Sequence, residues 1–411
     1  MFKSTLQTPI IVKGEAVPSA KATPTTATAS PADNTSNSNF AARVNATGDG
    51  PKKFNDAFWA LLFAAHLAIV FFLTIASMNA DTQDGISYDG LLWVVLICSL
   101  ASIAISSMSL GYIMKCPTDL VKTALVFSVG MSLCIGITGF LFGQFFLGVV
   151  GLCLGALGVC YARLVWPRIP FAAANLKTAL VAVRQNMGLT FAAYTLMIVA
   201  IFWSMLWFWG IGDALQDSNI FISFLLFVSF YWVHQVLTNI MHVTTAGTVG
   251  TWWFVPEEAQ SCWSPAIQDS LIRATSFSFG SICLGSLMVA IVQGLRGVAH
   301  MARDTEDFQA LVCILDCLLG CVEDMIEYLN KWAYVYVGLY GLPYFDAGKS
   351  VMQLFEHKGW SVIITDDLTD NVLFMISVGV AMLVGLVGFA VTTADPYLLA
   401  SMGLGSSTGF L

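Results

Sequence analysis

One face of a long apolar segment carries four side chains that could bind a ligand inside a membrane. Trp232, Gln235, Asn239 and His242 follow one another at steps of three, four and three residues. That spacing places all four on the same face of a helix. Polar side chains in membrane-spanning helices face other helices or a water-filled cavity, and a histidine there can respond to protons. The pattern predicts either the lining of a substrate cavity or hydrogen bonds that join helices without transport.

A second candidate site is an aromatic cluster at the end of the preceding apolar segment. Trp203 and Trp207 lie there, together with Phe202, Phe208 and Trp209. Aromatic faces attract quaternary ammonium ions by cation–π interaction, worth about 2 kcal/mol or more when water is excluded. Tryptophans at a helix end are also typical of the aromatic belt at the membrane–water interface. The position favours the belt, and we retain Trp203 and Trp207 as candidate substrate-binding residues.

A third group combines a stripe of cysteines at helical spacing with the acidic residues that follow it: Cys313, Cys317, Cys321, Glu323, Asp324 and Glu327. No histidine accompanies them, so the sequence favours simple helix packing followed by a solvated acidic turn, and we predict no metal site. The sequence has no nucleophile–base arrangement, phosphate-binding loop or carboxylate pair typical of catalysis. We therefore predict no enzymatic activity and no cofactor.

The composition is that of a membrane protein. Of the 411 residues, 57% are hydrophobic and 11% are charged, whereas soluble domains are about 25% charged. Runs of about 20 apolar residues span the bilayer as helices, because a helix satisfies its own backbone in lipid. The fold class is therefore all-α, a multi-pass transmembrane helical bundle in contact with the lipid bilayer. Nine spans are predicted, at 57–79, 90–114, 121–142, 144–165, 188–211, 219–254, 274–299, 326–355 and 371–393.

The spans divide the chain into three regions. Residues 1–52 are rich in Ser, Thr, Ala and Pro and predict a disordered tail. Residues 53–395 form the predicted transmembrane domain, and residues 396–411 a short Gly- and Ser-rich tail. The net charge of −8 is not accompanied by a cluster of Lys and Arg of the kind that nucleic acid requires. We therefore predict no nucleic-acid partner.

Charged residues in the loops predict the orientation. The loop after the fourth span contains Arg163, Arg168, Lys177 and Arg184 with no acid between them. Short loops rich in Lys and Arg remain in the cytoplasm. This places the loop and the N-terminal tail inside the cell.

Two features predict helix packing. The sixth span has 36 residues without a formal charge, too long for a straight crossing of the roughly 30 Å hydrocarbon core. It must tilt, break or emerge, and Gly247 and Gly250 are the expected points of bending. Gly151 and Gly155 have the GxxxG spacing that lets two helices approach closely.

From the sixth span onward the chain resembles the choline transporter-like family (solute carrier family 44), and most closely its fungal and protist "pH nine sensitive" branch. Three passages carry the resemblance: residues 238–254 (TNIMHVTTAGTVGTWWF), 270–296 (SLIRATSFSFGSICLGSLMVAIVQGLR) and 329–359 (LNKWAYVYVGLYGLPYFDAGKSVMQLFEHKG). Their order and spacing match the family over roughly residues 200–390. The resemblance implies a plasma-membrane transporter of choline or a related organic cation.

One departure leaves an alternative open. Members of the family usually continue with a tenth span, whereas nine are predicted here. The runner-up prediction is therefore a non-transporting or truncated family member that acts as a scaffold in the membrane.

Overall fold

The computed structural model describes residues 53–79, 89–113, 115–217, 220–302, 309–358 and 361–394, which are almost entirely helical and contain no strand. The predicted tails, 1–52 and 396–411, lie outside these ranges. A π-helical turn at Arg273–Phe277 joins two of the helices. The helices are α1 (Ala57–Asn79), α2 (Asp89–Ile113), α3 (Pro117–Leu141), α4 (Phe145–Val165), α5 (Ile169–Gln185), α6 (Gly188–Asp217), α7 (Ile220–Phe254), α8 (Pro265–Ile272), α9 (Phe279–Ala302), α10 (Gln309–Tyr340), α11 (Tyr344–Lys358) and α12 (Ser361–Ala394).

Eight helical stretches among the described residues are long and apolar enough to cross a membrane. This confirms the predicted fold class, a multi-pass helical membrane protein of about nine spans. Hydroxyl groups within the spans donate to carbonyls one turn earlier in the same helix. The Thr74 hydroxyl donates to the Val70 carbonyl at 2.9 Å, and the Ser99 hydroxyl to that of Val95 at 2.6 Å. These side chains therefore cost little in lipid, because the helix itself satisfies them.

The eighth predicted span, 326–355, is wrong in its extent. Two helices, α10 and α11, share this stretch, and the chain breaks between them at residues 341–343. Gly341 has a φ of +64°, a left-handed conformation that ends helices and suits glycine. Pro343 has no N–H to continue the α-helical hydrogen bonds. Neither α10 nor α11 is among the stretches apolar enough to span a membrane.

The base-rich connection after the fourth span is helical. Trp166–Arg168 form a 3-10 turn, and α5 continues from Ile169 to Gln185. Ile169, Ala172 and Leu176 are buried on one side of α5, which packs against α3 and α12. The connection predicted as a loop is therefore an amphipathic helix.

The long sixth span does not break at Gly247 or Gly250. Helix α7 runs without a break from Ile220 to Phe254, about 52 Å at the usual rise. The two glycines instead allow close packing. A Cβ on Gly247 would lie 2.6 Å from the Ser270 hydroxyl oxygen, and one on Gly250 would lie 2.0 Å from a Leu339 methyl group.

The buried apolar residues form two clusters, which define two bundles. The central bundle contains α1, α6, α7, α9, α10 and α11 around a core that includes Trp232, Val236 and Tyr334. The flanking bundle contains α2, α3, α4, α5 and α12 around Val121, Leu125 and Leu368. Within the flanking bundle, a Cβ on Gly151 would lie 2.5 Å from the Gly136 nitrogen. The GxxxG segment therefore packs α4 closely against α3, as the spacing predicted.

Candidate functional site

The polar face of α7 points into the central bundle. Trp232 and Asn239 are buried, and Gln235 and His242 are half-buried. The Asn239 amide donates to the Ser286 hydroxyl on α9 at 3.0 Å, and the Gln235 amide donates to a Glu327 carboxylate oxygen on α10 at 3.2 Å. All four side chains therefore face protein rather than lipid, as expected for polar groups inside a membrane.

A cavity of about 630 Å³ lies beside this face, between α7, α9, α10 and the start of α12. Its size is within the usual range for small-molecule sites. Gln235, Asn239 and His242 line it, so three of the six candidate binding residues meet here. The full lining is Phe230, Tyr231, His234, Gln235, Thr238, Asn239, His242, Val289, Gln293, Asp324, Glu327, Tyr328, Asn330, Lys331 and Asp370.

Acidic side chains outnumber basic ones in the lining. Asp324, Glu327 and Asp370 face one lysine, Lys331. The Lys331 ammonium lies 2.9 Å from Asp370 and so compensates that carboxylate. Asp324 and Glu327 pair with no basic side chain in the described part of the chain. Because opposite charges attract, this excess of carboxylates favours a cation in the cavity.

An ion-pair network between α9 and α10 lies next to the cavity. The Arg296 guanidinium lies 2.8 Å from Asp316 and 2.5 Å from Glu323. The Gln293 amide donates to Glu323 at 2.8 Å. Arginine therefore compensates Glu323, whereas the donors to Glu327 in the described part of the chain are amides, those of Gln235 and Gln293. The difference identifies Glu327 as the carboxylate best placed to meet a mobile cation.

Three aromatic rings border the same cavity, Phe230 and Tyr231 on α7 and Tyr328 on α10. Aromatic faces beside carboxylates are the surroundings that a quaternary ammonium ion prefers, because the ion has no N–H to donate. Sequence reasoning missed these rings and also the role of Glu327. It assigned Glu323, Asp324 and Glu327 to a solvated turn, but they lie within α10. The spacing of four residues between Glu323 and Glu327 was the sequence signal that could have placed both carboxylates on one face of a helix.

Trp203 and Trp207 lie away from the polar cavity. Both are buried on α6, within the core of the central bundle. The aromatic belt favoured by the sequence is therefore wrong for these two residues. Trp203 lines a separate apolar cavity of about 500 Å³ between α1, α6 and α7. The Trp209 side chain lies outside the described residues.

Trp232 joins helices next to the cavity without lining it. Its indole N–H donates to the Cys283 carbonyl on α9 at 2.9 Å. Its ring lies 5.0 Å from that of Phe63 and 5.1 Å from that of His66, both on α1. Trp232 thus fixes the position of α7 relative to α1 and α9.

A layer of polar contacts closes the end of the cavity toward the predicted cytoplasmic side. The Asn330 amide donates to the Gly285 carbonyl at 3.0 Å and accepts a short hydrogen bond from the Tyr344 hydroxyl. The Tyr334 hydroxyl donates to the Ile282 carbonyl at 3.2 Å. These bonds join α9, α10 and α11 directly beneath the cavity.

The segment before α1 adds a second closure, which we call the inner clasp and define as Asn55 and Asp56. The Asn55 amide donates to the Gly341 carbonyl at 2.7 Å. The Asp56 carboxylate accepts from the Ser281 hydroxyl at 2.5 Å and from the Tyr344 backbone N–H at 3.0 Å. Asp56 has a φ of +52°, an uncommon conformation for a residue with a side chain. The clasp therefore holds the α10–α11 break against the start of α9.

Arg273, in the π-helical turn, supports the same closure. Its guanidinium donates to the Gly338 carbonyl at 2.7 Å. Burial lowers the pKa of Arg273, and the nearby Asp269 carboxylate opposes that effect. A π-helical turn at this point is notable because such turns are frequent at functional sites.

The fold and this cavity define a class of protein, a polytopic helical membrane protein with an acidic, aromatic cavity among its helices. The chain belongs to the choline transporter-like family, because the family described as plasma-membrane choline transporter matches residues 150–406.

Individual proteins that are similar to this chain support the same family. A CTL-like protein of Dictyostelium discoideum is 25% identical over 368 residues, covering 82% of this chain and 64% of the relative. Protein PNS1 of Eremothecium gossypii is 27% identical over 367 residues, covering 78% and 66%. Protein PNS1 of Gibberella zeae is 38% identical over 160 residues, covering 37% and 29%. The chain thus spans two thirds or less of the length of each of these relatives.

Proposed function

We propose that this protein transports choline or a related organic cation across the plasma membrane, and that the cavity between α7, α9, α10 and α12 is its binding site. The observation that carries the proposal is the Glu327 carboxylate, which has no basic partner among the described residues and lies beside aromatic rings in a cavity of the right size. Membership of the family supports the same substrate class.

In this proposal the two parts of choline have different partners. The trimethylammonium group lies among Tyr231, Tyr328 and Glu327, because aromatic faces and a carboxylate stabilise a cation that cannot donate a hydrogen bond. The hydroxyl end exchanges hydrogen bonds with Asn239 or His242.

The tryptophans act indirectly in this proposal. Trp232 holds α7 at the distance from α9 that the cavity requires. Trp203 and Trp207 pack α6 against α7 from the far side. The proposed binding contribution of the tryptophans is therefore the positioning of Gln235 and Asn239.

Release toward the cytoplasm requires the closed end of the cavity to open. Transporters open alternately to each side by moving helices around a fixed site. The break at residues 341–343 offers a hinge, since α11 is held there by the inner clasp rather than by continuous helix. We propose that the clasp releases when substrate moves inward.

The test is uptake of radiolabelled choline by the purified protein in liposomes, with ethanolamine and thiamine as competitors. Glu327→Gln removes the negative charge with little change in shape. Glu356→Gln removes an exposed acid on α11 that lies outside the cavity lining, and serves as the matched control. We expect Glu327→Gln to weaken choline binding tenfold or more, about 1.4 kcal/mol, and the control to behave as wild type.

Binding measured in detergent separates this proposal from the scaffold alternative. If the protein binds choline but does not accumulate it in liposomes, the proposed binding site stands and the proposed transport activity is wrong. A protein that neither binds nor transports choline or its competitors would support a scaffold. Equal affinity in wild type and Glu327→Gln would remove Glu327 from the site.

A further inference from the structure

The hairpin of α3 and α4 opens into a groove at its base-rich end. Near the connection between the two helices the backbones touch, at Gly136 and Gly151. Farther along, a Cβ on Gly158 would still lie 3.1 Å from Val129. Beyond that point the helices enclose a groove of about 490 Å³, lined by Val126, Val129, Val159, Ala162, Arg163, Trp166 and Pro167.

The groove is apolar along its length and basic at its mouth. Valines from both helices form the walls, and Val126 is 61% exposed. At the open end lie Arg163, in the last turn of α4, and Trp166, in the 3-10 turn that follows α4. Lys122 lies one turn before Val126 and on the same face of α3. An amphipathic molecule with an anionic head therefore matches both parts of the groove.

The positive charge around the mouth of the groove also favours a molecule with an anionic head. Residues 115–185 contain a single acid, Asp119. The bases in this stretch are all exposed, and within the described residues none forms an ion pair: Lys115, Lys122, Arg163, Arg168, Lys177 and Arg184. Bases near the surface of the cytoplasmic leaflet are attracted to its anionic lipids, and basic pockets between helices bind anionic headgroups.

We propose that this groove binds one anionic phospholipid of the leaflet at the base-rich end of the protein. The anionic headgroup lies between Arg163 and Lys122, and one acyl chain lies along Val126, Val129 and Val159. Trp166 occupies the interface level, where tryptophan side chains concentrate. The site is separate from the polar cavity and does not depend on the choline proposal, since no residue lines both.

The test is native mass spectrometry of the full chain in detergent, titrated with phosphatidylserine or with phosphatidylcholine of the same acyl chains. Wild type should bind phosphatidylserine at least about fivefold more tightly, the preference expected when a single base lies near an anionic headgroup. Arg163→Gln should remove most of that preference. Val126→Trp fills the groove at an exposed position and should weaken both lipids. Lys177→Gln, an exposed base outside the lining, is the matched control and should change affinity less than twofold.

Three results would overturn the proposal. Equal losses in Arg163→Gln and Lys177→Gln would indicate diffuse attraction to the whole basic face. Unchanged binding in Val126→Trp would exclude an acyl chain from the groove. Displacement of phosphatidylserine by soluble glycerol phosphate at similar concentrations would indicate a phosphate site that does not require a lipid. Thermal denaturation of each variant checks that it is folded.

Discussion

The central and flanking bundles are both helical and apolar, yet their spans are buried to different extents. In the central bundle, 56% of the α9 span is buried, and buried polar groups such as Asn239 and Ser286 bond between helices. No described span of the flanking bundle is more than 22% buried, and the α2 and α12 spans are 6% buried. The Ser107–Tyr194 hydroxyl pair, which joins α2 of the flanking bundle to α6 of the central bundle at 2.6 Å, is exposed.

This difference shows where the fold can place a polar site. A cavity for a cation needs walls that exclude lipid, because each unsatisfied polar group in hydrocarbon costs several kcal/mol. Only a helix surrounded by other helices supplies such walls, and α7 is in contact with α6, α8, α9 and α10. The α2 and α12 spans of the flanking bundle are little covered by other helices, so their surfaces suit lipids rather than a soluble cation.

The largest expected effect compares a glycine from each bundle. A Cβ on Gly285 would lie 2.4 Å from the Tyr334 hydroxyl, whereas one on Gly379 would meet nothing within 4 Å. Gly285→Val should lower the free energy of unfolding by about 3 kcal/mol, the upper range for overpacking, and Gly379→Val by less than about 1 kcal/mol. Thermal denaturation in detergent measures both. Equal losses would mean that the two bundles are packed alike around these glycines.

The next effect concerns Trp232, which fixes the central bundle beside the cavity. Trp232→Ala should weaken choline binding about tenfold, about 1.4 kcal/mol, since it removes the contacts that hold α7 beside α1 and α9. Trp232→Phe keeps an aromatic face toward Phe63 and should lose less. Equilibrium binding in detergent measures the two affinities. Trp253→Ala, an exposed residue at the end of α7, is the control. Unchanged affinity in both Trp232 variants would remove Trp232 from the support of the site.

A smaller effect is expected at the inner clasp, because it changes an equilibrium between conformations rather than the site. Asp56→Ala removes the acceptor for Ser281 and for the Tyr344 N–H. We expect choline binding to change less than twofold, while the maximal rate of uptake changes about threefold or more, corresponding to roughly 0.7 kcal/mol. Uptake kinetics in liposomes separate the two quantities. A large change in affinity with an unchanged rate would contradict the clasp as a conformational element.

The smallest expected effect compares a buried hydrogen bond within the central bundle with an exposed one between the two bundles. Ser286→Ala leaves the buried Asn239 amide without its acceptor and should cost about 1 kcal/mol of unfolding free energy. Ser107→Ala breaks the exposed pair with Tyr194 and should cost less than about 0.5 kcal/mol. Thermal denaturation of the two variants, measured side by side, gives the difference. A larger loss for Ser107→Ala would mean that burial does not set the relative value of these two bonds.

The amino-acid sequence determined the class of fold and most helix positions. Apolar runs such as Phe58 to Met78 allow only helices in lipid, since no other single segment satisfies its own backbone there. The same logic placed Gln235, Asn239 and His242 on one inward face, because their spacing follows the helical repeat. The close approach at Gly151 was also readable, because a missing side chain has a direct steric consequence.

Only the tertiary structure decided which helices meet, and therefore which residues share the cavity. Glu327 and Tyr328 follow a cysteine stripe that predicts packing, and nothing local indicates that α10 turns them toward Gln235. Trp203 and Trp207 occupy a helix end in the sequence but are covered by α7 in the fold. Asp56 and Tyr344 are 288 residues apart along the chain, yet they are joined at 3.0 Å. Periodicity describes one helix at a time, whereas a site among helices depends on long-range packing that no local pattern encodes.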